Sequence, residues 1–470
     1  MMRKSLLALA LSVAFPAAFA QMTTNGVEIY GVVDVGFENI DNGAVSVNRI
    51  SSGISTGSRW GIRGREDLGG GYAALFTLES RFEIDTGQMS NNGAIYWCGT
   101  ATLGTTTVPS CPGVVLTSPL PPSVAPSVLA GNNTANELLL RSVTTVNAVN
   151  ALFDRQAWAG MVTPYGAVIA GRQYTPGYET FVKFNSFADG FAGNPGQLAT
   201  INLRANNALQ YRAELKGFTL GAMYGFGGSE GSAIGPNNRT ERGLNPNAAA
   251  NSVTQGDDFW GIELQYQTER FGVAGAYQQN RTVTYSSPTQ NQKGLETYNL
   301  GAWVALGDFK LYGHYLKSVN DNPVLSPVDI QNLVISTGGN LAAATSILSS
   351  LYINRWDVNA LRGVAGPTDA ALYHLGLEWL LGSGRLIAAY NYGKDTSRSP
   401  WATADASVSS YGVAYYYYLS KRTWLYGAAA LASNSDQSRA ALGGAGYVGG
   451  WTTAPGEDSR SFQLGMRHMF

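Results

Sequence analysis

From Val27 onward the chain alternates. Val27, Ile29, Gly31, Val33, Val35 and Phe37 fall on one side of an extended backbone, and Glu28, Tyr30, Asp34 and Glu38 fall on the other. This is the period-2 pattern of a strand with one apolar face. The signature returns in Trp260, Ile262, Leu264 and Tyr266 against Gly261, Glu263, Gln265 and Gln267. It returns again in Tyr298, Leu300, Ala302, Val304 and Leu306 against Thr297, Asn299, Gly301 and Trp303, and in Tyr373, Leu375, Leu377 and Trp379 against His374, Gly376 and Glu378. Each run is about ten residues long, the length at which a tilted strand crosses a bilayer.

Applied down the whole chain, the template predicts sixteen strands, near residues 27–38, 58–66, 72–84, 155–163, 165–173, 208–215, 218–227, 257–268, 271–283, 295–307, 309–319, 370–381, 385–395, 406–419, 423–434 and 460–470. Their connections alternate in length. Lys216-Gly217, Glu269-Arg270 and Asp308 are short, whereas 85–154, 228–256, 320–369 and 435–457 are long. Short turns on one rim and long loops on the other describe an all-β fold, a transmembrane antiparallel up-and-down β-barrel. Since the inward faces are polar, no apolar core is expected inside it.

The first 20 residues stand apart from this pattern. Arg3 and Lys4 precede the apolar run Leu6 to Phe19, which ends in Ala18-Phe19-Ala20, a secretory signal with a small-residue cleavage site. Residues 21–470 are then expected to form a single barrel domain. No later apolar run reaches the roughly 18 residues that a membrane helix needs. Composition agrees with a membrane barrel: 57 Gly, 25 Tyr, 17 Phe and 10 Trp accompany only 13% charged residues, against roughly 25% in a typical soluble chain. The formal charge of -1 gives a nucleic-acid role no electrostatic support. Cys98 and Cys111 lie in a polar, Pro-rich region, and in an oxidising compartment a disulfide is the simplest account of the pair.

One stretch departs from the strand template. Between Arg172 and Arg204 the chain is Gly-rich and irregular, yet carries Tyr174, Tyr178, Phe181, Phe184 and Phe187, with Glu179 and Asp189 available to face water. Aromatics in that number let a loop pack against something, and a loop folded back into the lumen provides it. Catalysis has little to work with. Of three histidines, His468 is expected to face lipid, and His314 and His374 face the lumen with no Ser motif nearby. No Cys/His cluster has metal-ligand spacing, and the Gly69 to Gly71 and Gly225 to Gly228 clusters lack the helix of a phosphate cradle. Neither an enzyme, a cofactor nor a metal site is expected.

Several blocks resemble the Gram-negative general porins. They are VEIYGVVDVGFE at 27–38, SRWGIRGREDLGGGYAALFTLESRFEIDTG at 58–87, RQAWAGM at 155–161, YGAVIAGRQYTP at 165–176, LRANNALQYR at 203–212 and the terminal aromatic Phe470. The resemblance implies a sixteen-stranded outer-membrane channel for passive diffusion of small hydrophilic solutes and ions. It implies a homotrimer in lipid and lipopolysaccharide, delivered by the barrel-assembly machinery with Phe470 as assembly signal. It also implies that the third external loop, 174–203, folds inward and sets carboxylates opposite arginines on the wall. By motif, those arginines are Arg59, Arg63, Arg155 and Arg204, with Arg172 at the loop base, and the acids are Asp189 and Glu179. Asn185 stands where some members carry a second acid, which weakens the carboxylate side and leans the channel towards anions. Loops 85–154 and 320–369 exceed the family pattern, and the latter contains an Ala/Leu/Ser run, Leu341 to Leu351, of helical period. A substrate-specific channel and an adhesin using these loops are the alternative readings.

The cysteine pair gives a first test. Only twelve residues lie between Cys98 and Cys111, and closing such a loop stabilises it by on the order of 3 kcal/mol. Intact mass of the exported protein should lack two thiol protons, and Cys98→Ser should leave the barrel assembled. Two free thiols would refute the pairing.

Overall fold

The protein is described by a computed structural model, which covers residues 25–43, 46–89, 99–103, 106–110, 152–188, 190–199, 201–226, 229–231, 258–281, 293–320, 368–396, 405–436, 438, 440–442, 452 and 456–470. The expected signal 1–20, Cys98, Cys111, Asp189 and the 341–351 run lie outside these residues.

Among the described residues, sixteen strands close into one antiparallel ring. They are β1 (Gly26–Asp41), β2 (Arg59–Gly69), β3 (Tyr72–Arg81), β4 (Gln156–Thr163), β5 (Gly166–Tyr174), β6 (Asn202–Leu215), β7 (Phe218–Gly225) and β8 (Asp258–Gln267). The second half comprises β9 (Phe271–Arg281), β10 (Lys293–Leu306), β11 (Phe309–Asn320), β12 (Thr368–Leu381), β13 (Gly384–Asp395), β14 (Ala406–Tyr418), β15 (Thr423–Asn434) and β16 (Ser459–Met469). Each strand pairs with the next, and β16 returns to β1 from Val32 opposite Met469 to Asp41 opposite Arg460. Closure removes every free edge, the only way a sheet satisfies its backbone in lipid. Two further short strands join the same sheet, and one hairpin stands apart from it. Ser46–Ser52 extends the upper half of β1, Ser229–Gly231 pairs with β6, and Gly99–Leu103 with Thr106–Ser110 forms a separate hairpin in the second long loop.

The expected strands match these to within about three residues, with one exception. The strand placed at 208–215 begins at Asn202, because Arg204 pairs with Tyr174 across a register shift. Arg204 thus lies on the wall strand β6. The face assignments hold: Leu300 is 61% exposed on the lipid side and its neighbour Asn299 is 1% exposed. At the turn between β6 and β7, Lys216 and Gly217 both have positive φ, 49° and 87°, the backbone of a tight two-residue hairpin whose twist matches its strands.

The expectation of a lumen without an apolar core is corrected. Chain 175–201, between β5 and β6, carries apolar side chains onto the inward wall and builds cores there. Tyr178, Phe181, Val182, Leu198 and Ile201 pack with Leu316, Leu372 and Val408. Phe187 and Phe191 pack with Ile54, Ile387, Tyr416, Trp424 and Tyr426. The inward face is polar on average along the wall, but its apolar residues are concentrated on β11 to β15, where the segment lands.

The chain terminus closes the ring. Gly31 donates its N–H to the Phe470 carbonyl at 3.1 Å and accepts the Phe470 N–H at 3.2 Å. A Cβ on Gly31 would sit 2.3 Å from the Phe470 ring, so the glycine is the seat on which that ring rests. Phe470→Ala and Gly31→Val should both lower the yield of heat-modifiable barrel in the outer membrane while leaving the conductance of assembled channels unchanged. Normal yield from both would contradict this role.

Candidate functional site

The inward segment begins as a helix, α1 (Pro176–Lys183), where the sequence predicted irregular loop. Its signals are local. Thr175 caps it, accepting the Tyr178 N–H at 3.2 Å, and Pro176 occupies the first turn, where its missing N–H costs nothing. The ring of Tyr178 stacks on Tyr174 at 5.5 Å. At eight residues the helix is too short to be stable alone, and wall contacts hold it.

Backbone groups of this segment are bonded by wall side chains. Gly177 donates to Gln278 of β9 at 3.0 Å and accepts from Asn299 of β10 at 3.3 Å. Ser186 donates its N–H to His374 of β12, Asn391 of β13 donates to the Gly193 carbonyl at 2.7 Å, and Ala192 donates to Gln463 of β16 at 3.0 Å. The tip meets a second inward strap, residues 53–58, which sequence reasoning missed. Phe191 donates its N–H to the Ile54 carbonyl at 2.7 Å, and a Cβ on Gly190 would lie 2.0 Å from the Ser55 oxygen. Only glycine fits that crossing. Phe191 itself has φ 64°, a strain of roughly 1–2 kcal/mol, which full burial of its ring offsets at roughly 1.5–3 kcal/mol.

Two charge clusters flank the segment. In the first, Glu79 of β3 receives Arg155 at 2.8 Å, Arg59 at 3.5 Å and the Tyr30 hydroxyl at 3.0 Å. Arg155 also donates to the Tyr174 hydroxyl at 2.8 Å, and Arg204 donates to it at 3.3 Å while lying over its ring. The wall arginines Arg59, Arg155 and Arg204 are thus brought together, but around a wall carboxylate and a tyrosine. Arg155 and Arg204 are buried. Arg63 pairs with Glu28 and lies over the Tyr30 ring at 4.7 Å, and Arg172 bonds the Asp154 carbonyl and the Asn206 side chain.

Glu179 enters the second cluster. It pairs with Arg212 of β6 and with Lys183 at 3.7 Å, and Arg212 also reaches Glu263 of β8 at 3.5 Å. Thr180 of α1 donates to Glu263 at 3.0 Å. Burial opposes ionisation of the Glu179 carboxyl, but the Arg212 guanidinium and Lys183 ammonium outweigh it and hold the carboxyl below the usual range. Burial and the adjacent Arg212 push Lys183 down. Glu79, Arg212 and Glu263 were missed, although strand parity would have found them: each alternates with outward residues such as Tyr211, Ile262 and Leu264.

On the short-turn side of the segment lies a cavity of about 580 Å³. Among the described residues its charged lining is basic, with Lys183, Arg212, Lys216, Lys310, Arg385 and Arg467 against Glu214 and Glu378. Three of these cations lie against aromatic rings: Lys310 over Trp303 at 3.8 Å, Arg385 over Tyr416 at 4.8 Å and Arg467 over Trp424 at 4.8 Å. Such contacts fix long basic side chains while leaving their charge in place.

Comparison with known proteins agrees with this architecture. An outer membrane porin protein of Bordetella pertussis is 37% identical over 110 residues, which is 20% of this chain and 28% of that protein. Outer membrane porin protein 32 of Delftia acidovorans is 44% identical over 92 residues, 19% of this chain and 25% of that protein. The chain therefore spans about a quarter of the length of these curated relatives. In fold it is similar to the anion-selective porin from Comamonas acidovorans, with a TM-score of 0.60 at 20% identity over 95% of this chain and 100% of that one. It is also similar to OmpT of Vibrio cholerae in trimer form, with a TM-score of 0.52 at 12% identity over 95% of this chain and 100% of that one. The family model for Gram-negative porins matches residues 6–437, and the chain belongs to that family.

Proposed function

We propose that this protein is an outer-membrane porin, a water-filled channel through which small hydrophilic solutes and ions diffuse passively, bounded at its waist by the inward segment 174–203. The observation that carries the reading is the segment's fixation: its backbone is bonded to side chains of five strands, β9, β10, β12, β13 and β16. A loop held at that many points narrows a lumen without gating it freely. A homotrimer is proposed with it, in lipid and lipopolysaccharide, as is insertion by the barrel-assembly machinery. The protein acts as a channel and not as an enzyme.

The passage should favour anions. A lining with six cations and two carboxylates, enclosed by low-dielectric walls, raises the local concentration of negative ions. Compensated cations contribute less: Arg59 and Arg155 share Glu79, Arg212 and Lys183 share Glu179, and Arg385 pairs with Glu378. Asp189 opposing the wall arginines remains part of the proposal, with Glu179 reassigned to Arg212.

Reversal potentials in a salt gradient test this. Anion preference should be clear near 0.1 M and weak near 1 M, as the screening length falls from about 10 Å to about 3 Å. Arg385→Gln with Arg467→Gln should shift preference towards cations, and Glu179→Gln should shift it further towards anions. Insertion should occur in three equal conductance steps. A cation-preferring wild type, or one unmoved by either change, would overturn the electrostatic reading.

A further inference from the structure

Four consecutive strands present a row of side chains to the inward segment: Asn299 of β10, His314 of β11, His374 of β12 and Asn391 of β13. His314 stands directly opposite His374, and His374 directly opposite Asn391. All four are buried. The segment orients both amides, because the Asn299 Nδ2 donates to the Gly177 carbonyl and the Asn391 Nδ2 to the Gly193 carbonyl. Each Oδ1 is thereby turned towards a ring, at 3.0 Å from His314 Nε2 and 2.7 Å from His374 Nδ1. An amide oxygen only accepts, so the ring nitrogen facing it carries the proton. For His374 this leaves Nε2 as a lone pair, and it accepts the Ser186 N–H at 3.2 Å.

Only a neutral His374 can make both bonds. A second proton on Nε2 would set N–H against N–H at Ser186 and would place a charge directly opposite the His314 ring. We propose that Asn299, His314, His374 and Asn391 are the positioning residues of the inward segment, and that protonation of His374 releases the stretch around Ser186, so that conduction changes with pH. The proposal rests on the reading that this segment bounds the passage.

Among the described residues, no carboxylate bonds either ring. The segment presents Phe181, Phe184 and Ser186 to the two histidines, β10 presents Asn299, and β13 presents Asn391. Further along the same inward faces are Lys310 and Tyr312 of β11, Glu378 of β12 and Arg385 of β13. Glu378 pairs with Arg385 at 3.5 Å and accepts the Tyr312 hydroxyl at 3.2 Å, and Lys310 lies over Trp303. The acid most exposed to confusion with this effect is Glu179. Its carboxyl is held below the usual range, so the bond to Arg212 is fully present above the ordinary carboxylate pKa and is lost only as pH falls through the lower folded value. The histidine variants retain that clamp, so they separate its loss from protonation of the ring.

Single-channel current in planar bilayers is followed from about pH 7.5 to about pH 3, because a buried ring takes up a second proton only below the range of a free imidazole. Wild type should conduct steadily at neutral pH and enter fluctuating sublevels on acidification. His374→Gln, whose side-chain oxygen can accept the Ser186 N–H without titrating, should remain steady throughout; His374→Asn serves if that variant fails to assemble. Asn391→Ala, which removes the bond to Gly193, should fluctuate already at neutral pH. A transition that persists in the histidine variants, or is missing from wild type while Asn391→Ala fluctuates, overturns the proton role and leaves the loop reading standing. If neither acid nor Asn391→Ala alters the current, the loop reading itself fails.

Discussion

A backbone segment inside a barrel has no sheet partner. Its N–H and C=O groups must be met by side chains of the wall, since leaving each one unpaired and buried costs roughly 1–3 kcal/mol. That requirement organises this lumen. Gln278, Asn299, His374, Asn391 and Gln463 come from strands spread around more than a third of the ring, and each bonds the backbone of the inward segment. Amides and imidazoles suit the task because they donate or accept without bringing a fixed charge into a buried position. The apolar contacts then set depth: Phe181, Phe184 and Phe191 are almost fully buried against the wall that these polar groups define.

Charge is arranged around this frame in two unlike ways. Where arginines are buried, as at Arg155 and Arg204, a wall carboxylate and a tyrosine hydroxyl stand within bonding distance. Breaking such a pair leaves an uncompensated charge, which is far more costly than the pair is stabilising. Where cations face the cavity, as at Lys310, Arg385 and Arg467, aromatic rings hold them and carboxylates are few. The first arrangement serves the integrity of the wall. The second sets a basic lining on the cavity, in which Arg385 pairs with Glu378.

Much of this was legible in the chain. Period-2 alternation found all sixteen strands of the ring and their faces, because a barrel in lipid must keep one face apolar along every strand. The aromatics by which 174–203 packs were legible, and motif and parity singled out Arg59, Arg155 and Arg204, which lie around Glu79 and Tyr174. The partners were not. Glu79, Arg212 and Glu263 meet their counterions only through cross-strand register and the position of α1, and neither follows from a strand's own sequence. The strap 53–58 reads as an ordinary Ser/Gly loop, and only its crossing with Gly190 gives it a role. Helix α1 has a cap and a proline in its favour, but it borrows most of its stability from the wall.

Segment 174–203, held by the wall, is proposed to set the width of the channel. Exclusion of neutral polymers of graded size from the open channel measures that width directly. Replacing residues 177–200 by a short Gly-Ser linker removes α1 and the tip while leaving β5 and β6 intact. The expected result is entry of distinctly larger polymers, together with a higher single-channel conductance in correctly assembled barrels. An unchanged size cut-off would contradict the account, because the narrowest point would then lie elsewhere in the lumen.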